Sequence, residues 1–479
     1  MKFPYSLAAA VAAAILAASP AHALPVSEQG RSCHLPGAEE ALRCISVSVP
    51  LDYQHPGAGA LALHVTLAPA FREMAKPDPL FVLAGGPGQA GSDVLAALNL
   101  MFRKARATRD IVLIDQRGTG LSGKLDCPGK ADADAMSDAQ AEAELASCLR
   151  AVKAPLAAYT TASAARDIEK VRLALGYAKV NVWGASYGTR LAQAYARAYP
   201  ASVRSLVLDA VAAPDQIIPA GGRDAQAALE TLFAQCARDA GCKGAFPALR
   251  SEFSALSERV AGGKVMLDMR DPRTAAPLHM PLTSKSFLAA VHAILYSPGD
   301  TRLLPFLIHS AYQGHWEPLV ARSRTAGDVA SESSMSIVLH LAVTCAEDHP
   351  RLSAQALAED SRDSFMTAAQ IERLSGMCAV IKVPPVPYQS PASIGAPALL
   401  LSGALDPVTP PRRAAAAARF MTHAQQVVVE NAGHGVSALG CAPRLLREFL
   451  DKPDQNVDAK CLSEIPAPSF QLGSAGPQP

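Results

Sequence analysis

A serine in a tight turn, an acid and a histidine can together carry out acyl transfer, and this chain offers the three residue types in that order. The serine is Ser186 in "GASYG", Gly184–Gly188, between a strand-like "VNVW" and a helix-like "TRLAQAYARAY". G-x-S-x-G at such a junction is a sharp turn whose small residues let the hydroxyl stand clear of the backbone. Taken alone, it is equally the pattern of an ordinary glycine-rich βα loop. The acid is Asp406, which closes "APALLLSGALD", and the histidine is His434 in "ENAGHG", after "QQVVV". In that order Ser186 attacks a carbonyl, His434 takes and returns the proton, and Asp406 holds the imidazole tautomer. The oxyanion of the intermediate needs donors. One is the N–H of Tyr187, and the other belongs to the glycine loop "LAGGPGQAGS", Leu83–Ser92.

These residues need a scaffold, and the pattern of the chain supplies one. Two β-rich runs, Cys44–Tyr53 and Leu61–Ala70, read as an antiparallel pair. Strand-like "PLFVLAGG", "DIVLIDQRG", "KVNVWGAS" and "RSLVLDAV" then alternate with helical patterns such as "AARDIEKVRLALG". Such alternation predicts an α/β fold with a mostly parallel sheet and helices on both faces. From about Pro214 the rhythm becomes helical, until the proline-rich "VPPVPYQSP", and strands then resume. The expected organisation is a core over 24–213, a helical cap over 214–385, the Asp and His part of the core over 386–465, and a flexible tail over 466–479.

The 479 residues are 49% hydrophobic and 18% charged, with a formal net charge of +1. That balance fits a globular chain and gives no electrostatic footprint for nucleic acid. Residues 1–23 read as a signal peptide: Lys2, the apolar Leu7–Ala18, then "AHA". The run is short for a bilayer span, so an exported protein, periplasmic or extracellular, is expected without stable membrane insertion. All ten cysteines follow the expected cut and fall into neighbouring pairs: Cys33 with Cys44, Cys127 with Cys148, Cys236 with Cys242, Cys345 with Cys378, and Cys441 with Cys461. An even count in an exported chain favours disulfides, although sequence alone does not fix their connectivity. No C-x-x-C or H-E-x-x-H occurs, and no metal is expected.

The glycine loop also fits another chemistry. Gly86, Gly88 and Gly91 satisfy G-x-G-x-x-G, and Asp115 falls where a ribose-binding acid would stand. A nicotinamide-dependent oxidoreductase is therefore the competing reading from a different class. Pro87 opposes it, because proline offers no N–H where dinucleotide binding wants donors. The strand before the loop also follows two others, and an exported protein meets little soluble dinucleotide. No cofactor is expected.

Five motifs together carry a resemblance: "AGGPGQAGS", "DQRGTGLS", "GASYGTRLAQAYA", "SGALDPVTP" and "NAGHG". From about Cys44 to Cys461 the chain resembles the proline iminopeptidase and tripeptidyl aminopeptidase group of serine α/β-hydrolases. The resemblance implies an α/β-hydrolase core with a helical cap, and release of residues from peptide N-termini. It makes the N–H of Gly86 the second oxyanion donor. It also implies cap acids that hold the substrate's free amine, for which Glu347 and Asp348 in "AVTCAEDHP" are candidates, with Glu317 behind them. Asp115 and Arg117 are expected to brace the loop. Ala84 stands where the iminopeptidase pattern has histidine, which, with the signal peptide, resembles the secreted tripeptidyl aminopeptidase branch more closely. A small-molecule ester or amide as substrate of the same triad is the nearer alternative, since the fold does not decide it.

Overall fold

The structure, a computed structural model, describes residues 30–127, 136–263, 265–272, 274–326, 335–366 and 368–476. The expected signal peptide lies outside them. The main sheet contains β1 (Arg31–Cys33), β2 (Leu42–Pro50), β3 (Ala60–Ala68), β4 (Leu80–Leu83), β5 (Ile111–Ile114), β6 (Val180–Ala185) and β7 (Val203–Asp209). A separate antiparallel hairpin, β8 (Met266–Arg270) and β9 (Pro277–Pro281), precedes its last two strands, β10 (Ala398–Gly403) and β11 (Ala424–Val429). The order across the main sheet is β1-β2-β3-β5-β4-β6-β7-β10-β11. β1, β2, β3 and β5 pair antiparallel, and every pairing from β5 to β11 is parallel. Every residue of β4 and β5, "LFVL" and "IVLI", is buried, as strands covered on both faces require.

One face is covered by α1 (Leu98–Arg106), whose Leu98 and Phe102 share a core with Leu445 and Phe449 near the chain's end. On the other face lie α2 (Asp138–Ala151), α3 (Thr161–Ala174) and α4 (Tyr187–Ala198), through Leu145, Ile168, Val171, Leu191 and Tyr195. The chain leaves the sheet after β7 and returns at β10, which pairs directly with β7. The insertion therefore leaves the sheet unbroken.

That insertion is not the single helical cap expected over 214–385. Its first part comprises α5 (Gly222–Arg238), α6 (Ala240–Ala245), α7 (Leu249–Ala261), the β8–β9 hairpin, α8 (Ser284–Leu295), α9 (Pro298–Thr301), α10 (Leu304–Tyr312) and α11 (Glu317–Ala326). These enclose an apolar cluster of their own, including Leu229, Leu256 and Phe287. Then α12 (Ile337–Glu347), α13 (Ala354–Ser361) and α14 (Ala368–Ile381) follow. Val338, Leu341 and Val343 of α12 join the sheet-side core with Tyr187 and Leu191. Helical periodicity is the same for both parts, which is why sequence did not separate them.

The tail also differs from expectation. Phe470 is buried in the insertion's cluster, with the Arg302 guanidinium 4.2 Å from its ring centroid, and the Gln471 N–H donates to the Arg302 carbonyl. Within 466–476 the chain is docked, because burying one phenylalanine is worth about 2 kcal/mol even in a Pro/Gly/Ser setting. After β10 the core closes with α15 (Pro411–Ala418) and α16 (Ala442–Asp451). Five disulfides join the cysteines neighbour to neighbour: 33–44, 127–148, 236–242, 345–378 and 441–461.

Candidate active site

β6 ends at Ala185, and Ser186 follows at φ 54°, ψ −124°, a strained conformation for a side chain other than glycine. The neighbouring backbone tolerates nothing larger than glycine. A Cβ on Gly184 would stand 2.4 Å from the Gly188 carbonyl oxygen, and one on Gly188 2.3 Å from that of Leu83. Tyr187 opens α4, so its N–H belongs to the first turn, which has no intrahelical acceptor. The helix end also favours negative charge at this spot.

Because β4 lies beside β6, the loop after it reaches Ser186. A Cβ on Gly85 would be 3.1 Å from the Ser186 Cβ. The Gly85 N–H donates to Gln89 Oε1 (3.2 Å), which leaves the N–H of Gly86, at φ 105°, as the next donor along the loop. The carbonyls behind it are held by α12. Ser336 N–H donates to the Gly88 oxygen (2.9 Å), and His340 Nδ1 lies 3.2 Å from that of Pro87. Burial keeps the His340 imidazole below its usual pKa, so near neutrality it donates through a single N–H.

Asp115 does not offer its carboxylate to a ribose. It is fully buried and accepts from Ser92 N–H (2.8 Å), Ser92 Oγ (3.1 Å) and Leu121 N–H (2.9 Å). The dinucleotide spacing is thereby left without its acid. Arg117 is likewise internal, paired with Asp167 at 2.7 Å.

On the other side of β6, Asp406 and His434 follow β10 and β11. Asp406 Oδ1 accepts the N–H groups of Val408 (2.8 Å) and Thr409 (2.9 Å). Its Oδ2 accepts the Thr409 hydroxyl (2.7 Å) and faces His434 Nδ1 at 2.9 Å. Burial works to raise this carboxyl, but His434 and the donors hold it below the usual carboxylate range. Burial also opposes charge on His434, yet the Asp406 carboxylate outweighs it and raises the imidazole pKa. With Nδ1 on Asp406, Nε2 is the ring nitrogen left for another partner. The insertion touches this loop as well: His434 N–H donates to the Tyr296 carbonyl (3.0 Å), and the Tyr296 ring meets the imidazole edge-on at 5.2 Å.

The three acids expected to face a substrate amine are placed differently. Asp348 is fully buried and spent on Arg190 (2.9 Å) and Arg351 (2.8 Å), so it faces no ligand. Glu317 stands exposed on the first turn of α11, and among the described residues no hydrogen bond or ion pair joins it to the site. Glu347 is half-buried; its Oε1 accepts Thr161 N–H and its Oε2 the Thr161 hydroxyl, both at 2.6 Å. That hydroxyl lies 2.8 Å from the Tyr187 phenol, so a hydrogen-bond chain runs from the residue after the serine to Glu347. Burial raises the Glu347 pKa, and two of its lone-pair positions remain for another donor.

Sequence reasoning passed over Thr409, Tyr296, His340 and Asp209. Asp209 closes "SLVLD" as Asp406 closes "SGALD", a strand-end acid that the same reasoning had the means to find. Tyr296 and His340 carry no comparable signal, since only the fold brings the insertion to these loops. Among the described residues no group of His, Cys, Asp or Glu is placed to hold a metal.

Comparison with known proteins bears on the fold and the family. Residues 78–249 match the family model described as alpha/beta hydrolase fold, and 363–461 match the one described as TAP-like protein. The chain is 26% identical over 408 residues to serine protease Hip1 of Mycobacterium tuberculosis, covering 77% of this chain and 76% of that protein. It is 30% identical over 194 residues to the tripeptidyl aminopeptidase of Streptomyces lividans, 36% of each chain. It is 36% identical over 134 residues to a probable proline iminopeptidase of Streptomyces coelicolor, 28% of this chain and 33% of that one.

Proposed function

The chain is a serine hydrolase of the α/β-hydrolase fold with a TAP-like C-terminal part, and from that premise we propose that it is an exported exopeptidase acting at peptide N-termini. The observation that carries the peptide specificity is Glu347, a half-buried carboxylate on the insertion, linked through Thr161 to the residue after Ser186. In this reading Ser186 Oγ attacks the scissile carbonyl while His434 Nε2 takes its proton. The N–H groups of Gly86 and Tyr187 receive the oxyanion. Collapse expels the shortened peptide as an amine, protonated by His434, and water then releases the acyl group by the reverse sequence. Glu347 receives the free α-amino group of the acyl part, and the arriving cation favours its charged form. Export is supported by the five disulfides, and no described helix is long and apolar enough to cross a membrane.

The test compares aminoacyl and tripeptidyl p-nitroanilides, each with free and acetylated amines, against simple acyl esters. Free-amine substrates turn over best, and Glu347→Gln raises KM for these by roughly tenfold, the worth of one charged hydrogen bond, with little change for acetylated ones. Hydrolysis of esters with no turnover of any anilide would overturn the peptidase reading. Ser186→Ala abolishes both activities.

A further inference from the structure

Asp209 is a fully enclosed carboxylate that the mechanism above does not use. It ends β7, between the strands that precede Ser186 and Asp406. Its backbone carbonyl accepts the Ser186 N–H at 3.0 Å. Its side chain reaches the loop after β11 and accepts the N–H of Val436 (2.9 Å to Oδ1, 3.0 Å to Oδ2) and of Ser437 (2.7 Å to Oδ2). The same loop is also tied to β6, since the Ser437 hydroxyl accepts from Trp183 Nε1 at 2.9 Å. One residue thus binds the backbone of the nucleophile with one group and the backbone just past the histidine with another.

We propose that Asp209 is a positioning residue, which fixes the histidine loop relative to the nucleophilic turn so that His434 Nε2 meets Ser186 Oγ. The inference rests on His434 acting as base for Ser186, and not on the peptide specificity. A buried carboxylate with no cation beside it is costly. Here it is held by donors that all come from the loop being placed. A neutral, apolar filling of the same space would leave the Val436 and Ser437 N–H groups unpaired. The arrangement therefore asks for an acceptor at this strand end, where Oδ2 alone reaches both N–H groups.

The charge also acts on the imidazole. The groups facing His434 are Asp406 and Thr409 from the loop after β10, Asp209 from β7, and His292 and Tyr296 from the end of α8. Burial takes His292 down to about 4, so it adds no charge near neutrality. Burial raises the Asp209 carboxyl, against the pull of its donors and His434. In their charged forms both carboxylates favour the imidazolium, and removal of either moves the acidic limb of activity to lower pH.

The experiment measures the second-order rate at which a fluorophosphonate labels the protein, from pH 5 to 9. In this reaction Ser186 Oγ bonds to phosphorus, fluoride leaves and His434 takes the proton. Asp209→Asn is expected to slow labelling by roughly 10- to 100-fold, since a mispositioned base loses most of its general-base contribution. Its acidic limb shifts to lower pH, which loss of fold alone would not produce. Asp209→Glu, which keeps the charge and displaces the oxygens that hold the loop, slows labelling by about threefold or more and leaves the acidic limb in place. If Asp209→Asn fails to fold, the Asp209→Glu rate decides. Wild-type rates and limb in the folded variants overturn the proposal. Undiminished labelling of Ser186→Ala would instead overturn the serine mechanism on which it rests.

Discussion

The glycine loop and the histidine loop follow strands on opposite sides of β6, and different parts of the chain hold them. Residues 84–88 lean on the insertion, through Ser336 to the Gly88 carbonyl and His340 to that of Pro87. Residues 432–437 lean on the sheet, through Asp209 to Val436 and Ser437. The insertion adds the Tyr296 carbonyl at His434 N–H. In the proposed mechanism, proton transfer rests mainly on the sheet, and oxyanion binding on α12, the same helix that ends in Glu347. In the proposed exopeptidase, the element that reads the substrate's amine also holds the donors for the transition state.

Breaking the histidine side has the largest effect. Asp406→Asn leaves His434 free to take the wrong tautomer and lowers kcat by about 10⁴-fold. Activity requires the neutral imidazole, whose pKa Asp406 raises, so wild-type activity falls as pH drops through that raised value. In Asp406→Asn the residual activity loses its acidic limb at lower pH. A pH–rate profile of kcat/KM checks both statements.

The glycine side should yield less. Gly86 sits at φ 105°, and a Cβ there would stand 2.7 Å from the Gly88 N. Gly86→Ala must move the oxyanion N–H, and kcat falls by roughly 10²- to 10³-fold, as for loss of one such donor. The acidic limb stays in place, because no charge near His434 changes. A shifted limb in Gly86→Ala would break the separation between the two sides.

Weakening the anchor instead of the loop gives a smaller effect. His340→Leu leaves the Pro87 carbonyl without its donor, at a cost of about 1–3 kcal/mol. We expect kcat to drop about tenfold, with free-amine substrates affected more than fluorophosphonate labelling, since α12 carries both functions. The smallest effect on catalysis comes from the Cys345–Cys378 disulfide, which ties α12 to α14 across 33 residues. Replacing both cysteines with serine lowers stability by roughly 3–4 kcal/mol through loop entropy. Turnover at 25 °C stays within about twofold. Denaturant melts and kcat on the same samples check it.

The parts of the site legible in the sequence were those with strong local rules. A G-x-S-x-G turn, an acid at a strand end and a histidine after the last strand each rest on a few neighbouring residues, and the fold needs only the order of strands to bring them together. The glycine loop was ambiguous for the same reason. Gly86, Gly88 and Gly91 fit two chemistries by spacing; Pro87 speaks against one of them, and the burial of Asp115 among Ser92 and Leu121 takes away its acid. Disulfides followed because each bridged pair is adjacent in the cysteine series. What stayed hidden depends on distant pairing. Asp348 reads as a ligand for an amine until Arg190, on α4, is found to hold it. The division of the insertion is invisible because α8 and α12 share one periodicity but pack into different cores. The docked tail turns on Phe470 and its neighbour Gln471, whose partner Arg302 lies far back in the chain.

The central claim is that Ser186 is the nucleophile and His434 its base. Peptide mapping after fluorophosphonate labelling tests it most directly, run on the wild type and on His434→Ala. The expected result is a single adduct on Ser186 in the wild type and, in the folded variant, a labelling rate reduced by at least about 10³-fold. An adduct on another residue, or an undiminished rate without His434, would contradict it.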